Sequence, residues 1–138
     1  MNIAVYGSLR RSMPNDHLWR RVGYSVPCTM RGVALYDVGG PFPYAIEGGP
    51  DDLTHGDLVV IDDQDDAAEV LRALDILEGV ESDHFVRTER HVESYDGWGV
   101  TAWVYLAHPS IVPALMAAGA PINHGDWVRS LHAHLTTN

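Results

Sequence analysis

One segment of this chain has a clear helical period: residues 65–79, DDAAEVLRALDILEG. Carboxylates crowd its start, Ala67, Leu71 and Leu74 recur at helical spacing, and Gly79 stands where a helix would stop. Most of the remaining sequence consists of short apolar runs punctuated by glycine and proline. Any fold for this chain must therefore set one amphipathic helix against several strands joined by irregular connections.

The strands are read from their patterns. NIAVYGSL is a short apolar run that ends in a glycine turn, as a buried strand would. CTMRGVALYDVG is β-rich with glycine breaks, and THGDLVVID reads as a further strand. GGPFPYAIEGG is punctuated by proline and glycine and is expected to be a bent loop or an edge strand. HFVRTERHVESYDGWGVTAWVYLA suggests a long hairpin with a tight primed turn at Asp96-Gly97. Two further helices are expected. One lies in MPNDHLWRRVG, with Pro14, Asn15 and Asp16 as start signals and Gly23 as a stop; the other is a short closing helix in GDWVRSLHAHL. The sum is an α+β fold, a small mixed sheet or β-barrel with a few helices at its rim, rather than regular βαβ alternation. No long linker, repeat or low-complexity tract interrupts it, so residues 1–138 are expected to form a single domain.

The helix poses one chemical question. At about 100° per residue, Leu71, Leu74 and Glu78 share a narrow band of one face, and Asp75 is expected to point away from it. If the leucines face a core, so does Glu78. A carboxyl there loses hydration and sits at the negative end of the helix dipole, and both effects raise its pKa. Such a glutamate is suited to general acid–base work near neutral pH. The alternative is a helix that frays before Gly79 and leaves Glu78 in water; periodicity leaves both open. A second feature is YGSLR, where a strand ends at Gly7. Successive amides of Gly7, Ser8 and Leu9 would form a nest for a carboxylate or an oxyanion, or else an ordinary strand-ending turn. Ser8 is not in a G-x-S-x-G elbow and is no candidate nucleophile.

Charge and composition exclude other classes. The formal net charge is −10, and all nine Lys+Arg residues are arginine. An acidic surface of this kind disfavours nucleic acid and anionic membrane as partners. A single cysteine, Cys28, rules out an internal disulfide framework and a cysteine-based metal site. The eight histidines are scattered without H-x-x-x-H or H-E-x-x-H spacing, and His132 and His134 would diverge on a helix, so no metal is expected. The start MNIAVYGS lacks the basic region and long apolar stretch of a signal peptide, and no run is long enough to span a bilayer. A soluble cytoplasmic protein is the expectation.

Taken in order, VYGSLRRSMPN, LYDVGGPFPYAIEG, HGDLVVI, LDILEGV followed by FVR, AWVYL and GDWVR resemble the gamma-glutamylcyclotransferase-like family. That family includes gamma-glutamylamine cyclotransferases and plant avirulence-induced relatives. The blocks span nearly the whole chain, and YGSLRRSMPN is most similar to the gamma-glutamylamine branch. The resemblance implies a small mixed β-barrel, a substrate-binding loop at Tyr6, Gly7, Ser8 and Leu9, and a catalytic glutamate at Glu78. It implies cyclisation of a small gamma-glutamyl substrate, an amine or an amino-acid derivative, to 5-oxoproline with release of the amine, needing neither metal nor cofactor. The alternative is a non-catalytic module of the same fold that binds acidic amino-acid derivatives. One departure stands out: relatives often carry a tyrosine two residues before the arginine of the strand after the helix, and here Phe85 precedes Arg87. His84 is the candidate substitute. Tyr44, in its proline- and glycine-rich surroundings, is the preferred further pocket residue. Tyr36 and Tyr105 are weaker ones. Arg87 is a candidate for a substrate carboxylate or for a structural ion pair, and Glu81 is the reserve base. Whether the chain works as monomer or homodimer is left open.

Overall fold

The computed structural model describes residues 1–131. Five strands close a barrel: β1 (Asn2–Val5), β2 (Tyr24–Arg31), β5 (Leu53–Val60), β6 (Phe85–Ser94) and β7 (Gly99–Ala107), in the order β1-β5-β2-β6-β7. Every pairing is antiparallel except the last. There β1 meets β7 in parallel at Ile3↔Trp103 and completes the ring. A second sheet, with β3 (Val33–Asp37) between β4 (Tyr44–Glu47) and β8 (Ala120–Pro121), leans on the barrel. The helices are α1 (Gln64–Leu77) and α2 (Val112–Ala118), and residues 127–131 are helical as well. The mixed barrel with peripheral helices is thus the α+β architecture the sequence suggests.

Alternation along the strands explains both cores. Ala4, Cys28, Leu58, Val92, Ala102 and Val104 point into the barrel and are at most 2% exposed. Ile3, Val5, Val59 and Tyr105 point outward, where Ala67, Val70 and Leu74 of α1 cover them. A strand buried on both faces has no polar side to show, which is why NIAVY is continuously apolar. The helix begins at Asp63, whose carboxylate accepts from the N–H groups of Asp65 and Asp66 at 2.9 Å each.

Two local expectations are corrected. MPNDHLWRRVG forms only a single 3-10 turn at Asp16–Leu18. Its start signals have other partners. Asn15 Nδ2 donates to Ser8 Oγ at 2.9 Å, and the buried Asp16 carboxylate accepts from Ser12 N–H at 2.9 Å and from Arg20 at 3.3 Å. The hairpin is present, but its turn is not the two-residue primed type. That turn needs positive φ at both central residues, and only Gly97 has it, at 90°. Gly97 N–H donates to Ser94 O and Ser94 N–H to Trp98 O, both at 2.9 Å, which makes a three-residue loop ending in a left-handed glycine. α2 was not foreseen; Pro113 in its first turn suits a helix start. The closing helix is seen over 127–131, and its expected remainder, with His132 and His134, lies outside the described residues.

Leu74 is fully buried between α1 and the barrel. Leu74→Ala is expected to cost about 2–5 kcal/mol of stability, read from urea unfolding. A loss below about 1 kcal/mol would mean that α1 is not anchored there.

Candidate active site

The helix does not fray before Glu78. Its φ and ψ are −83° and −2°, still right-handed, and its N–H donates to Leu74 O at 2.9 Å. Gly79 then turns left-handed, with φ 64°, and ends the helix. The carbonyl of Gly79 accepts from Ser82 N–H and His84 N–H, both at 3.1 Å, so the chain doubles back at once into β6. Glu78, His84 and Phe85 thereby reach one cavity, of about 210 Å³.

The opposite wall is the exit of β1. Tyr6, Gly7, Ser8 and Leu9 all line the cavity, and Asn15 joins them through its bond to Ser8. The loop's internal hydrogen bonds run from Arg10 N–H to Gly7 O at 3.0 Å and from Asn15 N–H to Ser8 O at 2.9 Å. They use none of the N–H groups of Gly7, Ser8 and Leu9. Gly7 is required by space: a Cβ there would sit 2.8 Å from Pro43 Cδ, and Pro43 and Phe42 form the adjoining wall. Tyr6 is fixed by its hydroxyl, which donates to Tyr105 O at 2.6 Å.

Glu78 is the ionisable group that sets the electrostatics. Its pKa is pushed up from 4.5 to about 7, and burial is the cause, with no cation opposing it. The helix C-terminus acts in the same direction. Glu78 in turn helps to raise the Tyr6 and Tyr44 hydroxyls, for which burial is again the first cause. Asp75, expected to point away, instead faces the barrel. Its Oδ1 accepts from Tyr105 Oη at 2.6 Å and from Arg87 Nε at 3.0 Å. At about 100° per residue it lies only about 40° from Leu71, within the buried stripe.

The other sequence candidates divide. Arg87 is not in the cavity wall; it pairs with Asp75, and its guanidinium lies 4.5 Å from the Trp103 ring centroid. Tyr44 stands behind the wall, stacked on Phe85 at 5.3 Å with its hydroxyl 2.9 Å from His84 Nε2. His84 and Tyr105 do line the cavity, whereas Tyr36 does not. Glu81 is exposed in the turn after Gly79. Asn15, Phe42, Pro43 and Leu77 were not recognised as site residues. Asn15 carries the signal of a helix start, and nothing in GGPFP tells which ring faces inward. A second groove between β6, β7 and α2 carries Arg90 and Glu47, which pair with each other.

A family model described as gamma-glutamyl cyclotransferase, AIG2-like, matches residues 3–129. The chain belongs to this family. Similar solved structures include an uncharacterised protein from Pyrococcus horikoshii, 21% identical, with a TM-score of 0.66 and 97% of each chain covered. An AIG2-like protein from Mus musculus is 20% identical with a TM-score of 0.68, over 91% of this chain and 86% of that one. A structure named gamma-glutamyl cyclotransferase is 18% identical with a TM-score of 0.56, over 78% and 66%. At these identities the likeness is one of fold. No curated protein matches the chain by sequence.

A carboxyl whose folded pKa lies above its unfolded one binds more protons when folded, so its contribution to stability falls as pH rises from about 4.5 to about 7. Glu78→Gln imitates the protonated form. It is expected to stabilise the fold at pH 8, on the order of 3 kcal/mol, and to do little at pH 4.5. Thermal unfolding at the two pH values checks this; equal shifts at both would show that Glu78 is not held neutral by burial.

Proposed function

We propose that this family member is a gamma-glutamyl cyclotransferase that uses Glu78 as its general acid–base. The substrate is a gamma-glutamyl amine or a gamma-glutamyl amino acid, and the products are 5-oxoproline and the released amine. One observation carries the reading: a carboxyl with no cation beside it shares a small cavity with a turn whose amides are not used internally.

In this mechanism the substrate's α-carboxylate lies against the N–H groups of the 7–9 turn, and the γ-carbonyl is bent back towards its own α-nitrogen. Ionised Glu78 takes a proton from the α-ammonium. The freed amine attacks the γ-carbonyl carbon, a C–N bond forms, and the tetrahedral oxyanion is met by backbone amides. The old amide C–N bond then breaks. The two protons lost by the α-nitrogen end on the leaving nitrogen, carried by the same carboxyl. Attacker and target belong to one molecule. Orientation alone is therefore worth an effective molarity of about 10⁵–10⁸ M, and the protein has little to add beyond a bent pose and a proton relay. A pKa of about 7 suits both halves of that relay.

Glu78→Gln is expected to reduce 5-oxoproline release by at least about a hundredfold while substrate still binds. Near-normal release by that variant, or saturable binding by the wild type without product, would overturn the assignment. Because the base must be ionised, kcat/KM is expected to rise with pH through about 7 on its acid limb. A limb near 4.5, the ordinary carboxyl value, would point to a different base or to a hydrated Glu78.

A further inference from the structure

We propose that the aromatic wall of the cavity is a subsite for an apolar leaving amine, preferably one bearing an aromatic ring and no carboxylate. The proposal rests on the cyclotransferase reading and specifies the part of the substrate that departs.

Four rings meet at this wall. Tyr44 is their centre: it lies 5.5 Å from Phe42, 5.3 Å from Phe85 with the two planes only 4° apart, and 5.3 Å from His84. His84 and Phe85 are 4.9 Å apart, edge to face. Three of the four, Phe42, His84 and Phe85, face the cavity, and Tyr44 holds the imidazole from behind through its 2.9 Å hydrogen bond. Phe42 is 38% exposed and Leu77, another lining residue, is 47% exposed. These side chains leave apolar surface open beside Glu78, and a ring placed there buries it on both partners. Phe85, 2% exposed and stacked on Tyr44, backs this wall with an apolar ring and no hydroxyl.

The wall carries no arginine or lysine for a second carboxylate, and its one basic side chain, His84, has Nε2 engaged with the Tyr44 hydroxyl at 2.9 Å. All nine arginines lie within the described residues, and none lines the cavity. Arg10, which directly follows the turn, is directed to Asp57 and Asp126 at 3.4 and 3.1 Å. Arg20, Arg87 and Arg90 pair with Asp16, Asp75 and Glu47, and Arg11, Arg21, Arg31, Arg72 and Arg129 are exposed. The turn amides suffice for the α-carboxylate that every gamma-glutamyl compound carries. A leaving group with its own carboxylate would bring a second anion beside Glu78, into a largely apolar wall without arginine or lysine. A neutral side arm meets neither penalty, and its nitrogen leaves protonated as in the step above.

The test compares two substrates that differ only in that carboxylate, gamma-glutamyl-2-phenylethylamide and gamma-glutamyl-phenylalanine, with gamma-glutamyl-methylamide as the ring-free control. The expected kcat/KM for 5-oxoproline release is at least tenfold higher for the phenylethylamide than for either of the others. Phe42→Ala should shrink its advantage over the methylamide at least threefold, and Phe42→Arg should raise gamma-glutamyl-phenylalanine at least fivefold relative to the phenylethylamide. Equal rates for the matched pair, or a faster amino-acid substrate, would overturn the subsite. If none of the three is turned over, the cyclotransferase reading fails, and calorimetric binding still decides the subsite. Tighter binding of the phenylethylamide supports it, while equal affinities or no binding overturn it.

Discussion

Glu78 stays in the cavity wall because the helix that carries it is pinned to the barrel and stops one residue later. Leu74 is fully buried and Val70 nearly so, which fixes the axial rotation of α1. Glu78 retains helical geometry, and Gly79 reverses the chain before the side chain can swing free. The energies are of comparable size. Keeping a carboxyl at about 7 rather than 4.5 costs on the order of 3 kcal/mol once it ionises. Burying Leu74 and Val70 returns about 1.5–3 kcal/mol each. Two aliphatic side chains one turn apart are therefore enough to hold an unfavourably placed acid where water is scarce.

Barrel closure supplies the other half of the site. The parallel contact of β1 with β7 lies at Ile3↔Trp103, and β1 runs on to Val5 before it releases into the turn. The turn is held on three sides. Tyr6 bonds to the backbone of Tyr105, Ser8 takes bonds from Asn15 through both its hydroxyl and its carbonyl, and Pro43 packs where Gly7 has no side chain. Such a loop has little to gain from rearranging, so residues 7–9 stay in the cavity wall with N–H groups that its internal hydrogen bonds do not use. Preorganised donors of this kind lose no free energy to reorientation when charge develops in front of them.

The strands and the main helix were legible because periodicity encodes them directly, whereas it left the helical end at Glu78 open between an inward acid and a frayed one. Alternation marks strands, the 71/74/78 spacing marks one helix face, and glycine marks its end. The errors arise where a local signal had a tertiary competitor. Asn15 and Asp16 carry the chemistry of a helix cap, but Ser8 and the amide of Ser12 recruit them for the loop instead. Asp96-Gly97 satisfies the composition of a primed turn, yet the strands pair one residue further out, at Ser94 and Trp98. The family resemblance names Glu78 and the 6–9 turn, and the structure brings both to one cavity. It gives no warning that Tyr44 would stand behind His84, because sequence does not state which of two adjacent rings faces inward.

Asp75 and Glu78 make the distinction between structure and chemistry concrete. Both are acids in the last turn of the same helix, three residues apart, and both face the barrel. Asp75 meets the Tyr105 hydroxyl and the Arg87 guanidinium, and these two donors keep its charge compensated. Glu78, one turn on, meets the cavity and no cation. The difference lies in what the chain entering β6 sends to each acid: Arg87 goes to Asp75, whereas Phe85 and, just before the strand, His84 go to the cavity. Arg87 therefore pairs with the acid next door and stays out of the cavity, which leaves Glu78 there without a cation. A carboxyl raised to about 7 by burial meets what acid–base chemistry near neutral pH requires.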